Sequence, residues 1–230
     1  MKLKPIAFFA GVLFLVVSCN NEEKKPEGNA SIPAADFNVL MVQHPVANYE
    51  AWKPHYFAHD SMRMAYGVSH YHIGRGIDDT TVVVVFDKMN DVAKAKEFAS
   101  TPELKDVMQK AGVTGTPIVD YLHTIRSDTT APTITDRVMV KHKVKDFDTW
   151  LKMFDDKGMD TRRPFGLIDR ALCRGIDDPN MVYIIFAVED WAKANARLNS
   201  EELKKIMTDA GVESPPVIIR YKLTDSNCCD

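Results

Sequence analysis

The sequence predicts an α+β fold built from two tandem βαββαβ repeats packed sheet to sheet. Three observations carry this. His44 to Trp52 (HPVANYEAW) returns as His142 to Trp150 (HKVKDFDTW), 98 positions on. Arg75-Gly76-Ile77-Asp78-Asp79 returns as Arg174-Gly175-Ile176-Asp177-Asp178, and Ala111-Gly112-Val113 as Ala210-Gly211-Val212, each 99 positions on. Order and spacing persist together, the mark of a duplicated unit. Within each copy, short apolar runs suited to strands alternate with segments of helical periodicity. A βαββαβ unit folds as a four-stranded antiparallel sheet with both helices on one face, so the other face needs a cover that the second copy can supply.

Strand one is Asn38 to Val46, or Arg137 to Val144. Asn48 and Asp146 then offer N-caps. Tyr49, Trp52, Tyr56, His59 and Tyr66 follow at helical steps, as do Phe147, Trp150 and Phe154. Pro54 removes one helical hydrogen bond, but the second copy has Lys152 there. Gly67 and Gly166 are placed to stop the helix. Two strands joined by the Arg-Gly-Ile-Asp-Asp turn come next. The second, Val82 to Phe86 or Met181 to Phe186, is continuously apolar, as a central strand buried on both faces would be. In the second helical region, Thr101 before Pro102 and Ser200 before Glu201 are start signals. Ile118 to His123 and Val217 to Leu223 close the repeats. The expected division is residues 37–125 for the first repeat, 126–136 for a polar linker, 137–223 for the second repeat and 224–230 for a tail.

The N-terminus reads as a targeting segment. Lys2 and Lys4 precede an apolar run from Ile6 to Val17, too short to span a bilayer comfortably. It ends in Val16-Val17-Ser18-Cys19, which resembles the bacterial lipobox and implies lipidation of Cys19. Residues 1–19 are then a signal peptide and 20–36 a disordered tether, charged and without apolar periodicity. This places the protein in the bacterial cell envelope, lipid-anchored at the outer membrane, on its periplasmic or outer side. The net charge of −3 gives no footprint for a nucleic-acid partner. The four cysteines are Cys19, Cys173, Cys228 and Cys229; they lack metal-ligand spacing and are too few for a disulfide framework.

Each repeat resembles the antibiotic-biosynthesis-monooxygenase-like branch of the dimeric α+β barrel superfamily. The likeness is carried by His44 and His142 on strand one, Trp52 and Trp150 early in helix one, Gly67 and Gly166, the Asp-Asp hairpin with Pro179-Asn180, and the Ala-Gly-Val that ends helix two. It implies two ferredoxin-like units forming a dimeric α+β barrel within one chain, a pseudo-dimer. Superfamily members include cofactorless monooxygenases, haem-degrading enzymes and small isomerases, with ligands usually held between helices and sheet. The haem-degrading branch takes its axial His from helix two. Neither Asp91 to Ala111 nor Trp191 to Ala210 contains one, so no haem site is carried over. The Asn/Trp/Tyr set of the oxygenases has no convincing match either.

Candidate chemistry concentrates in the first repeat. His70 and His72 alternate on strand two and are expected to share a face. Tyr56, His59 and Arg63 follow the helical stripe of Trp52. If that stripe faces the sheet, Tyr56, His59, Arg63, His70 and His72, with His44 on strand one, form a ligand-binding or catalytic group near neutral pH. The competing reading is partly exposed histidines on a polar face. His70-x-His72 has the spacing of two metal ligands but lacks a clear third, so no metal and no cofactor are assigned. In the second repeat Tyr56, His70 and His72 become Phe154, Asp169 and Ala171, while His142 and Arg162 remain. The first repeat is therefore expected to hold the site and the second to complete the barrel. Trp52 and Trp150 are expected in the core, Arg75 and Arg174 paired with the adjacent Asp residues, and Cys228-Cys229 in a frayed tail. Three functions stay open: a module binding a small hydrophobic or aromatic ligand, a cofactorless monooxygenase-like enzyme, and a structural scaffold.

Overall fold

A computed structural model describes residues 31–227. Cys19, the signal peptide, most of the tether, and Cys228 and Cys229 lie outside the described residues.

The first repeat runs β1 (Ala34–Pro45), α1 (Tyr49–Ala58), α2 (Asp60–Ala65), β2 (Val68–Gly76), β3 (Val82–Met89), α3 (Val92–Ala99), α4 (Pro102–Lys110) and β4 (Ile118–Ser127). The second runs β5 (Asp136–Lys143), α5 (Phe147–Lys157), β6 (Leu167–Gly175), β7 (Met181–Val188), α6 (Trp191–Leu198), α7 (Glu201–Asp209) and β8 (Val217–Ser226). Two short 3-10 turns, Met159–Thr161 and Arg163–Phe165, replace α2 in the second repeat.

Local chemistry sets the ends. Asn48 accepts from the Ala51 amide at 2.9 Å and Asp146 from Thr149 at 2.8 Å. Thr101 and Ser200 cap α4 and α7 through Leu104 and Leu203. Pro54 sits inside α1 without ending it; the break comes at His59, between α1 and α2. Gly67 and Gly166 leave the helical region with φ of 70°, a conformation open to glycine.

The eight strands close a barrel in the order β1-β3-β2-β8-β5-β7-β6-β4, every neighbour antiparallel. The two sheets therefore do more than lie face to face. They also join edge to edge, β2 to β8 and β4 to β6. These seams explain why the strands outrun the sequence pattern. β4 continues to Ser127, pairing with Ala171, and β8 to Ser226, pairing with His72. At the first seam Gly74 lies under the Tyr221 ring, where a Cβ would come within 2.2 Å of the aromatic carbon Cδ2. The corresponding residues of the other seam are Cys173 and Leu122, so the small and large partners are traded differently on the two sides.

Three apolar clusters result. One lies between sheet and helices of the first repeat, around Trp52, Val83 and Phe98. A second fills the barrel with Met41, Phe86, Met139, Tyr183 and Tyr221. The third mirrors the first around Trp150, Val182 and Phe186. β3 and β7, read as doubly buried central strands, are so. Arg75 and Arg174 depart from expectation. Their Nε atoms donate to the hairpin carbonyls of Thr80 and Pro179, and their guanidinium groups lie over Tyr49 and Phe147.

His44 and His142 belong to the two helix–sheet cores. Each is 3% exposed and lies edge-on to its tryptophan, at 5.5 Å from Trp52 and 5.6 Å from Trp150. Burial pushes both imidazoles down to about 4.

Two predictions follow from this architecture. Residues 31–127 expressed alone expose the apolar barrel face and the free edges of β2 and β4, so sedimentation should find dimers or larger species. A stable monodisperse monomer would contradict the closed barrel. The buried histidines make the fold acid-sensitive. Their folded pKa values lie below the unfolded value, so the unfolded state takes up protons first. Stability is complete above about pH 6.5 and is lost as pH falls toward 4, by on the order of 3 kcal/mol per histidine. Chemical denaturation between pH 7 and 4 should show this slope reduced in His142→Gln; an unchanged slope would refute the assignment.

Candidate functional site

In the first repeat, α1 and α2 bring Tyr56 and Arg63 onto the outer face of β2 and β3. The Tyr56 hydroxyl is 2.5 Å from Asp87 Oδ1 and 3.0 Å from His70 Nδ1. His70 Nε2 is 3.0 Å from Asp225 Oδ1, and Lys53 pairs with Asp225 at 2.8 Å. Arg63 lies with its guanidinium 3.8 Å from the Tyr56 ring centre and its Nε 4.0 Å from Asp87 Oδ2, and donates to the Tyr56 carbonyl at 2.6 Å.

The Asp87–Tyr56–His70–Asp225 chain has three hydrogen bonds and needs three protons. With Asp225 held ionised by Lys53, two arrangements satisfy it. In one, Asp87 is ionised, Tyr56 donates to it, and His70 donates from both nitrogens. In the other, Asp87 keeps a proton and donates to Tyr56, Tyr56 donates to His70 Nδ1, and His70 Nε2–H donates to Asp225. Burial favours the second. It pushes the Asp87 carboxyl up to about 7 against the pull of Tyr56 and Arg63, and it lowers His70 against the pull of Asp225.

Sequence-predicted residues separate into four places. Tyr56, Arg63 and His70 meet as described, joined by Asp87 and Asp225. His44 lies in the core beneath Trp52. His59 sits at the α1–α2 break with its Nδ1 2.8 Å from the His55 carbonyl oxygen, outside the network. His72 does not share a face with His70. A β-bulge between them pairs His70 with Asp87 but His72 with Phe86, so His70 faces the helices while His72 joins the lining of the barrel mouth. The strict alternation assumed from sequence fails because the bulge inserts one residue, Tyr71. Asp87 and Asp225 lacked any motif that marks them; they are found only through strand register.

The helix–sheet interface of the second repeat is different. A cavity of about 150 Å3 opens among Ile32, Phe154, Gly158, Ala171, Leu172 and Ile184. Arg162 sits at its edge and forms a bidentate pair with Asp169, at 2.8 Å through Nε and 2.5 Å through the terminal nitrogen. The Arg162 guanidinium lies 4.0 Å from the Phe154 ring centre, matching Arg63 over Tyr56. A second bidentate pair, Arg126 with Asp155, joins β4 of the first repeat to α5 of the second. The space has identifiable causes. Phe154 replaces Tyr56 without the hydroxyl. Gly158, at φ 67°, carries the chain out of α5 into the 3-10 turns. Neither this cavity nor the one at the barrel mouth is lined by Tyr56, Arg63, His70 or Asp87. An open helix–sheet interface is thus found in the repeat expected only to complete the barrel.

No family model and no curated relative matches the chain. Solved structures do match. One is a protein provisionally named a monooxygenase from Fusobacterium nucleatum, with a TM-score of 0.54 and 12% identity over 83% of this chain and 94% of that one. An anthrone oxidase-like protein gives 0.57 at 10% identity, over 86% and 96%. A protein provisionally named a chlorite dismutase gives 0.53 at 14%, over 83% and 96%. At these identities the likeness is one of fold. The chain has a dimeric α+β barrel fold, built as a tandem pseudo-dimer in a single polypeptide.

Proposed function

We propose that this is a lipid-anchored envelope protein that binds a one-ring aromatic molecule in the helix–sheet cavity of its second repeat. The cavity carries the reading. Its volume of about 150 Å3 equals that of an engineered apolar cavity of about 150 Å3 known to admit benzene. Phe154, Leu172, Ile184 and Ile32 offer an apolar wall for a ring. The Arg162–Asp169 and Arg126–Asp155 pairs offer both donors and acceptors, and their charges balance. A neutral phenol-like substituent suits them better than a free anion, which would have to displace a paired carboxylate. Anchoring rests on the order of charged residues, apolar run, Ser18 and Cys19 in the sequence.

A second reading is an oxygenase acting without a bound cofactor. It is favoured by fold neighbours named as monooxygenases and by Asp169, a carboxylate beside the cavity able to accept a phenolic proton. Oxygen uptake on adding a phenol separates it from simple binding.

The binding test uses phenol and indole as probes in calorimetric titration. Ile184→Phe builds into the cavity from β7 and should weaken binding roughly tenfold or more, while His70→Ala leaves it unchanged. Equal loss in both variants, or unimpaired binding in Ile184→Phe, would place the ligand elsewhere.

A further inference from the structure

The barrel interior has two mouths, and they are charged differently. Four antiparallel steps separate β1 from β5, so these strands run the same way and each mouth gathers equivalent ends of both repeats. Where β1 and β5 end, the inward-facing cation is Lys141. It is fully compensated: its Nζ donates to both oxygens of Asp120 at 2.8 and 2.9 Å, and the Tyr183 hydroxyl donates to the same carboxylate at 2.9 Å.

Where β1 and β5 begin, Arg137 is buried, only 3% exposed, and Lys88 stands at the same end over the Phe37 and Tyr71 rings. Among the described residues no carboxylate lies within ion-pair distance of Arg137. Its hydrogen bonds go to the backbone carbonyls of Ile134 and Asp136. Arg170 lines the same mouth, but its charge is taken up by Asp128. His72 lines it too, with a buried Nδ1 that has no partner. Burial, with Arg137 next in weight, pushes the His72 imidazole down to about 3, so it stands there neutral and able to donate. These groups, with Tyr221, surround a cavity of about 60 Å3 whose other walls include Phe37 and Phe86. Asp128 also lines the mouth, and it and Asp136 act on Arg137 only from beyond ion-pair distance. A buried guanidinium with no carboxylate in contact is costly, and a neutral imidazole nitrogen without a partner adds to that cost.

We propose that this mouth is a binding site for a small monovalent anion, held by Arg137 and His72. The cavity admits about one to four heavy atoms, given that a single water needs ~10–15 Å3 by the same measure. Chloride, formate and nitrate are of that class; a phosphate monoester or an aromatic acid is too large. The aromatic cavity lies on the outer side of the second sheet, and Ala171 of β6 borders both.

The test follows thermal unfolding of the detergent-solubilised full chain in sodium chloride or sodium formate against sodium gluconate at equal ionic strength. The midpoint should rise and saturate with chloride and formate, and not with gluconate. Arg137→Met should abolish that difference, whereas Lys141→Met, at the other mouth, should keep it. An equal rise in gluconate, or a chloride response that survives Arg137→Met, would overturn the proposal. Should Arg137→Met fail to fold, the chlorine NMR line width of chloride with the wild-type chain decides. Broadening that formate reverses supports the site, and absence of broadening refutes it.

Discussion

Closure of the barrel through two seams, β2 with β8 and β4 with β6, is the constraint on which the rest depends. Each repeat alone has two unpaired sheet edges and an apolar face. Joining the repeats removes both problems at once, because every edge finds a partner and the inward faces share one core. Carrying both halves on one polypeptide also frees them from identity. A symmetric dimer would need the same residues at both seams, whereas here Gly74 fits beneath Tyr221 at one and Cys173 accompanies Leu122 at the other. The same freedom lets the two barrel mouths and the two helix–sheet interfaces diverge.

The divergence follows a physical pattern. In the first repeat the helix–sheet space holds polar groups bonded to one another: Tyr56, Asp87, His70 and Asp225, with Arg63 packed across the tyrosine ring. In the second repeat the carboxylate has changed strands. Phe186 stands where Asp87 does and Asp169 where His70 does, so Arg162 binds the carboxylate directly. One arrangement consumes its space in hydrogen bonds. The other settles its charges in a compact pair and leaves a cavity beside it. A decayed copy would be expected to collapse onto apolar packing, yet the second repeat retains a bidentate ion pair next to a void.

Much of this fold was legible because it is written in local chemistry repeated twice. Caps at Asn48, Asp146, Thr101 and Ser200, stops at Gly67 and Gly166, and continuous apolar runs at β3 and β7 each depend on a few neighbouring residues. The duplication then supplied the sheet partner. The candidate site was less legible because it depends on register. One inserted residue at Tyr71 turns His72 inward and leaves His70 outward, and no pattern in Ser69-His70-Tyr71-His72 announces it. Asp225 is distant in sequence from His70 and meets it only through the β2–β8 seam, while Asp87 comes opposite it through the register of the β2–β3 hairpin. The cavity was hidden for a different reason. It is made by the hydroxyl absent at Phe154 and by the path of the chain after Gly158, and space leaves no residue to read.

The central claim is that small-molecule binding resides in the second repeat. Methyl NMR of the full chain titrated with phenol tests it most directly, since the two helix–sheet interfaces carry distinct reporters. The account predicts saturable shifts at Ile32, Leu172 and Ile184, with Val83 and Val85 of the first repeat unmoved. Shifts centred on Val83 and Val85, with Leu172 and Ile184 silent, would contradict it.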